Sequence, residues 1–361
     1  MSRVYNFNPG PATLPLPVLD HARQEMLNYQ ETGMSILETS HRSKDYEAIN
    51  TAAEAGIKRL YGLGDDYRVL FLQGGASLQF AMIPMNFLPA EATADYILTG
   101  SWSVKALNEA KKLGQARIAA TTKEETFRRL PRPAEISLHE SPAYVHLTTN
   151  NTIYGTQWHT IPEVGDAPLI ADMSSDIVSR PFDLNKFAMI YAGAQKNIGP
   201  AGVTVVVMRQ SMIDKCPDSI PAILNYATHA NANSLYNTPP AFAVYMVNLV
   251  VSWIEEQGGL SAMAERNQQK ADAIYSVVDN SNGFYRPHAA KEDRSLMNIT
   301  FRLPEEDMEK RFISEATQQG MVGLKGHRSV GGIRASIYNA MSLEGCRALA
   351  SFMEEFMRKN G

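Results

Sequence analysis

Asp172 and Lys196 are the residues whose types and placement point first to chemistry. They lie in the segment LIADMSSDIVSRPFDLNKFAMIYAGAQKNIGPAGVTVVVM, residues 169–208. Asp172 closes an apolar run of strand character, where α/β sheets put functional groups. Lys196 follows the next such run, in the small-residue loop AGAQKNIGPAG. From there a lysine can reach into a cleft, and burial lowers its proton affinity enough for Schiff-base chemistry as a free amine. A nearby carboxylate can hold a protonated pyridine nitrogen and keep a flat ring drawing electrons. Taken singly, an Asp at a strand end is more often a cap or turn former, and a Lys in a glycine-rich loop is usually solvated. Spaced across one β-α-β step, the pair favours the catalytic reading. The GxxxxGK[ST] spacing of a nucleotide-binding loop is absent.

Two further segments fit the same chemistry. In FLQGGASLQF, Gly74, Gly75, Ala76 and Ser77 join an apolar run to a helical pattern. Small residues at a helix N-terminus leave backbone N–H groups free to cradle a phosphate, although a plain tight turn reads equally well. In TGSWSVKA, Trp102 lies beyond another strand-like run. Its ring could stack on a flat ligand, and core packing is the ordinary alternative.

Six β-rich runs supply the frame: Arg68 to Gln73, Asp95 to Thr99, Tyr144 to Thr149, Pro168 to Met173, Ala188 to Gly193 and Gly202 to Met208. Most are apolar on both faces, as in a sheet covered by helices on each side. Helical patterns such as SVKALNEAKKLG separate several of them, so a mostly parallel α/β architecture is expected. After about Gly258 the texture changes. An amphipathic stretch leads into the strand-like LMNITFR, a helical pattern around EEDMEKRFISEATQQG, a glycine-rich turn, the strand-like GIRASI and a terminal helix. The expected organisation is an extended N-terminal segment over 1–15, a large α/β unit over 16–257 and a smaller α+β unit over 258–361.

Composition excludes several other roles. With 361 residues the chain is long enough for two such units, and 44% hydrophobic with 20% charged residues is ordinary for a globular protein. The net charge of −4 offers no basic footprint for nucleic acid. Cys216 and Cys346 are the only cysteines and share no metal or redox spacing, so no metal site and a reducing, cytoplasmic setting are expected. The most apolar run, Ala241 to Ile254, is shorter than the ~20 residues of a membrane helix and contains Asn248. A buried core helix is expected there, with no membrane partner.

Nine segments in order, FNPGPATLP, SHRSKDY, FLQGGASLQF, TGSWS, NNTIYGTQW, ADMSSD, YAGAQKNIGPAG, NTPP and GHRSVGGIRASIYNA, carry a resemblance that covers the chain nearly end to end. The chain resembles the class V, fold-type I aminotransferases, and within them the branch that acts on phosphoserine. The resemblance implies a seven-stranded, mostly parallel sheet between helices plus a smaller α+β unit, with pyridoxal 5′-phosphate as cofactor. It implies that Lys196 bonds the cofactor and shuttles a proton, and that Asp172 pairs with its ring nitrogen. Trp102 would stack on the ring, and Thr152 would hydrogen-bond its phenolic oxygen. Ala76, Ser77 and Gln195 would bind the cofactor phosphate. Asn237 and Thr238 would reach that phosphate from a partner subunit, which implies a homodimer with shared active sites. Some members carry arginine where this chain has Ser77, so one cationic contact is missing here.

Basic residues bear on the substrate. His41–Arg42 and His327–Arg328 are two His-Arg pairs in loops, and Arg334 lies on the strand-like run after the second. An arginine fork suits the α-carboxylate shared by both substrates, which assigns Arg334. The two pairs would serve the distal group, phosphate or carboxylate, from either subunit. Any one of these residues could instead be an ordinary surface charge, but two pairs favour a doubly anionic substrate. The implied reaction exchanges an amino group between phosphoserine and 2-oxoglutarate, giving 3-phosphohydroxypyruvate and glutamate. The resemblance extends to a second substrate, 4-phosphohydroxythreonine, used in pyridoxine synthesis.

Overall fold

Alternation along each apolar run decides the layering. In the strand Tyr67–Leu72, Val69 and Phe71 point into one buried cluster, and Leu70 and Leu72 into another on the opposite face. Strand Thr204–Arg209 divides likewise, with Val205 and Val207 on the first face and Val206 and Met208 on the second. The computed structural model, which describes residues 3–361, therefore has a sheet covered on both sides. Helices Lys44–Tyr61 and Ala241–Glu256 cover the first face, and Gly75–Phe87 and Ser101–Leu113 the second. The run from Ala241 is thus a buried core helix, as expected. Among the described residues no helix is long and apolar enough to cross a membrane.

The sheet has seven strands in the spatial order Tyr67–Leu72, Thr204–Arg209, Met189–Gly193, Leu169–Asp172, Val145–Thr148, Thr93–Leu98, Gln115–Thr121. Only Thr204–Arg209 runs antiparallel to its neighbours. The six parallel strands therefore end at one edge. All six apolar runs became strands. The seventh, Gln115–Thr121, is an edge strand with a largely accessible pattern, so it lacks the apolar signature of the other six.

A third buried cluster lies in the C-terminal part of the chain. There Asn298–Arg302 pairs antiparallel with Arg286–Pro287 and Ile333–Ser336, and helices Glu306–Gln318 and Leu343–Asn360 pack around Phe312, Phe352 and Phe356. Tyr5–Asn6 pairs with Met321–Val322, so the N-terminal segment is tied to this part; residues 1 and 2 of that segment lie outside the described residues. The helix Gly259–Asp279 is continuous across both parts. Leu260 and Met263 pack under the large sheet, whereas Ala271, Ile274 and Val278 enter the C-terminal cluster.

Candidate active site

The common edge of the parallel strands collects the chemistry. Asp172 is the last residue of its strand and pairs in register with Thr148 on one side and Tyr191 on the other. Lys196 follows three residues after the end of the adjoining strand, Met189–Gly193. Helix Ser101–Leu113 starts just past strand Thr93–Leu98 and carries Trp102 in its first turn. Helix Gly75–Phe87 starts just past Leu72.

Lys196 Nζ donates to Thr152 Oγ1 at 2.7 Å and stands 5.7 Å from the centre of the Trp102 ring. Burial pushes the Lys196 amine down from its ordinary 10.5 to about 8, with Asp172 opposing the shift and Arg334 adding to it. Burial raises the proton affinity of Asp172, against the pull of Lys196 and a hydrogen bond from the Ser174 N–H to Asp172 Oδ1 at 2.9 Å. The site therefore holds an amine that gives up its proton more readily than an ordinary lysine and a carboxyl shielded from water.

Thr152 sits in the hairpin between Asn150–Asn151 and Thr156–Gln157, which is wedged between the two parts of the molecule. Asn150 Nδ2 donates to Ser175 Oγ at 2.8 Å and to Asn298 Oδ1 at 2.7 Å. Asn298 Nδ2 in turn reaches Ser336 Oγ and the Tyr338 hydroxyl at 3.0 and 3.2 Å. Buried and mutually satisfied amides of this kind hold a hairpin rigidly.

Arg334 comes from strand Ile333–Ser336 and is buried, with Nη1 3.5 Å from the Thr152 carbonyl. Its Nε has no partner among the described residues, and neither has the buried Trp102 Nε1. Burial lowers the proton affinity of His327, and the positive charges of Arg334, Arg328 and Lys105 lower it further. The charges of these three cations thus all act on one imidazole.

The residues present fit pyridoxal phosphate. Lys196 offers an amine, Asp172 a carboxyl, Thr152 a hydroxyl and Trp102 an aromatic face. Helix Gly75–Phe87 has no side-chain cap and no acid in its first turn, so its leading N–H groups suit a phosphate. Gly74 and Gly75 have φ of +83° and +64°, and a Cβ at Gly74 would stand 2.6 Å from Leu78. Ala76 and the exposed Ser77 follow directly, and Gln195 adjoins Lys196.

Known proteins show which family the chain belongs to. The model of the family "Aminotransferase class-V" matches residues 4–349. The chain belongs to the class-V aminotransferases. Phosphoserine aminotransferase of Herpetosiphon aurantiacus is 60% identical to it over 99% of both chains. The structure of phosphoserine aminotransferase from Bacillus circulans subsp. alkalophilus is 55% identical over 99% of each chain, with a TM-score of 0.98. That of the pyridoxal-phosphate-bound enzyme from Trichomonas vaginalis is 39% identical, covering 98% of this chain and all of that one, with a TM-score of 0.93. As a class-V aminotransferase with these relatives, the chain is a pyridoxal-phosphate-dependent transferase of fold type I.

Not every expected residue falls in the cluster. His41 is half-buried and Arg42 exposed at the start of helix Lys44–Tyr61, and among the described residues neither side chain has a hydrogen-bond or ion-pair partner. Asn237 Nδ2 donates to Gln73 Oε1 at 3.0 Å, and Gln73 Nε2 donates to the Thr238 carbonyl at 2.9 Å. Within one chain these two residues therefore brace the residue that precedes the Gly74–Gly75 turn.

Sequence reasoning missed several residues that shape the site. Gly10, at φ +143°, packs so closely that a Cβ there would stand 3.2 Å from Lys196 Cγ. Asn197, next to the lysine, donates to the Ile177 carbonyl at 2.6 Å and accepts from the Asn339 N–H at 2.9 Å. Buried Asp176 accepts from Thr149 Oγ1 and, at 3.1 Å, from Gln157 Nε2, and burial raises it to about 6. An acid four residues beyond Asp172 in the same segment was the available signal for Asp176.

Proposed function

We propose that the chain transfers an amino group reversibly between phosphoserine and 2-oxoglutarate, giving 3-phosphohydroxypyruvate and glutamate. The observation that carries this reading is the gathering of cationic charge at the site, where Arg334 acts on the amine of Lys196 and Arg334 and Arg328 both act on His327. Both amino-acid substrates carry an α-carboxylate and a second anion, and this site offers more than one anion clamp.

When bound, pyridoxal phosphate supplies an aldehyde for the amino group and a ring that holds the electrons of the broken Cα–H bond. Lys196, whose burial loosens its hold on a proton, serves as general base and takes the Cα proton at Nζ. Thr152 Oγ1 orients that amine before reaction. Asp172, buried away from water, would hold a proton at the ring nitrogen. The N-terminus of helix Gly75–Phe87, with Ala76, Ser77 and Gln195, would hold the cofactor phosphate, and Trp102 would cover the ring. Arg334 fixes the α-carboxylate through its fork.

His327 and Arg328 serve the distal group, joined by His41 and Arg42 of a second subunit. Leu27, Met34 and Leu37 are 85%, 45% and 62% exposed in the segment leading to His41. That apolar surface supports a homodimer in which Asn237 and Thr238 also reach the neighbouring site. The same reading places the enzyme in the cytoplasm, divides the chain near residue 258, and admits 4-phosphohydroxythreonine, which carries the same distal phosphate.

A cysteine desulfurase would need a reactive thiol at the site. Cys346 is buried in the terminal helix with its thiol pushed up to about 12, and burial also raises Cys216. An assay of glutamate formed from phosphoserine would require 2-oxoglutarate. Activity with alanine as donor and none with phosphoserine would overturn the reading.

A further inference from the structure

Lys105 lies on helix Ser101–Leu113, three residues after Trp102 and on the same face. It is exposed, its Nζ stands 4.3 Å from the centre of the Trp102 ring, and among the described residues it has no carboxylate partner. The first turn of its helix carries no acid, so the positive helix end faces the same rim. Lys105 is also close enough to His327 for its charge to bear on that imidazole, together with Arg334 and Arg328. None of the roles assigned above uses it.

The two amino-acid substrates differ most at the distal end. A phosphate monoester carries about −1.5 to −2 charges near neutral pH and three acceptor oxygens; the glutamate side chain carries one charge on a planar group. Lysine binds phosphate as a point charge on a flexible stem, without the fork that favours a carboxylate. A cation resting on an aromatic face is weakly held at an exposed position, so it is free to move to a dianion.

We propose that Lys105 is a specificity-determining residue that leaves the Trp102 face to bind the distal phosphate, favouring phosphoserine over glutamate. The inference rests on the proposed function, since it concerns the distal end of that substrate. It is separate from the assignments of Arg334 and the two His-Arg pairs, which are common to both substrates.

The test compares holoenzyme with the K105Q and K105R variants by two readouts. The first is KM for phosphoserine and for glutamate, each with its own keto acid. The second is the Kd of inorganic phosphate for the holoenzyme by calorimetry. In K105Q the KM for phosphoserine and the Kd of phosphate should each rise about 3- to 10-fold. The KM for glutamate should move less than about 2-fold, and K105R should recover most of the loss. Equal KM changes for both substrates, an unchanged phosphate Kd, or no recovery in K105R would each overturn the proposal. If wild-type enzyme rejects phosphoserine, the proposed function fails, while the phosphate titration still judges Lys105.

Discussion

The amine of Lys196 donates to Thr152 Oγ1 at 2.7 Å, and so the base on one side of the site is held by a hairpin from the other. Lys196 belongs to the loop after strand Met189–Gly193. Thr152 belongs to a hairpin braced against Asn298 of the C-terminal sheet by Asn150. The position of the base therefore depends on how the two parts of the molecule meet.

Proton uptake by Lys196 sets the first prediction. Burial brings its amine to about 8, below the ordinary 10.5 of an unfolded chain. Between those values the unfolded state binds the extra proton, so this residue makes the apoprotein more stable as pH rises through that window. The neutral amine also captures an aldehyde. The rate of pyridoxal phosphate uptake by apoprotein should rise with pH, with its midpoint near 8 and a plateau above it. A rate that kept climbing toward 10 would mean an ordinary, solvated lysine.

Asp172→Asn separates chemistry from stability. The raised proton affinity of Asp172 means that its charge is unfavourable in the folded apoprotein near neutral pH. The folded state binds more protons than the unfolded one above the ordinary carboxyl range, so stability falls as pH rises there. The amide keeps the acceptor for the Ser174 N–H. Thermal unfolding of the apoprotein at pH 7 should therefore show an equal or higher Tm, while kcat falls about 100-fold or more.

Arg334→Lys keeps the charge and removes the fork. If Arg334 holds the α-carboxylate, KM should rise about 10- to 100-fold for phosphoserine and glutamate alike. Steady-state kinetics on both donors checks this. A rise confined to phosphoserine would move Arg334 to the distal group.

Asn197→Ala should cost roughly 2–4 kcal/mol, because the Asn339 N–H and the Ile177 carbonyl would both be left buried and unpaired. Gly155→Ala should cost roughly 2–5 kcal/mol. Gly155 has φ +74°, and a Cβ there would stand 2.6 Å from Thr300 Oγ1 and 2.9 Å from the Asn298 carbonyl. Denaturant titration measures both. A change under about 1 kcal/mol in either would show that the joint between the two parts relaxes easily.

Much of this was readable because the site is built from strands buried on both faces. Their apolar runs announce both the layering and the edge where Asp172 and Lys196 emerge. Strand Gln115–Thr121 was not readable, since an edge strand needs no continuous apolar run. Gly10, Asn197 and Asn339 were not readable for a different reason. Their importance comes from close approach and hydrogen bonds between segments far apart in sequence, 142 residues in the case of Asn197 and Asn339, and no local pattern encodes such a partner. His41 and Arg42 were legible as a basic pair, but one chain alone gives them no partner among the described residues.

The central claim is tested most directly by titrating the visible absorbance of the holoenzyme with each amino acid in turn. Phosphoserine and glutamate should each discharge that absorbance, and 3-phosphohydroxypyruvate or 2-oxoglutarate should restore it. Discharge by glutamate with no response to phosphoserine would contradict the account at the distal group. It would leave the fold, the cofactor and Lys196 in place while removing phosphate recognition from His41, Arg42, His327 and Arg328.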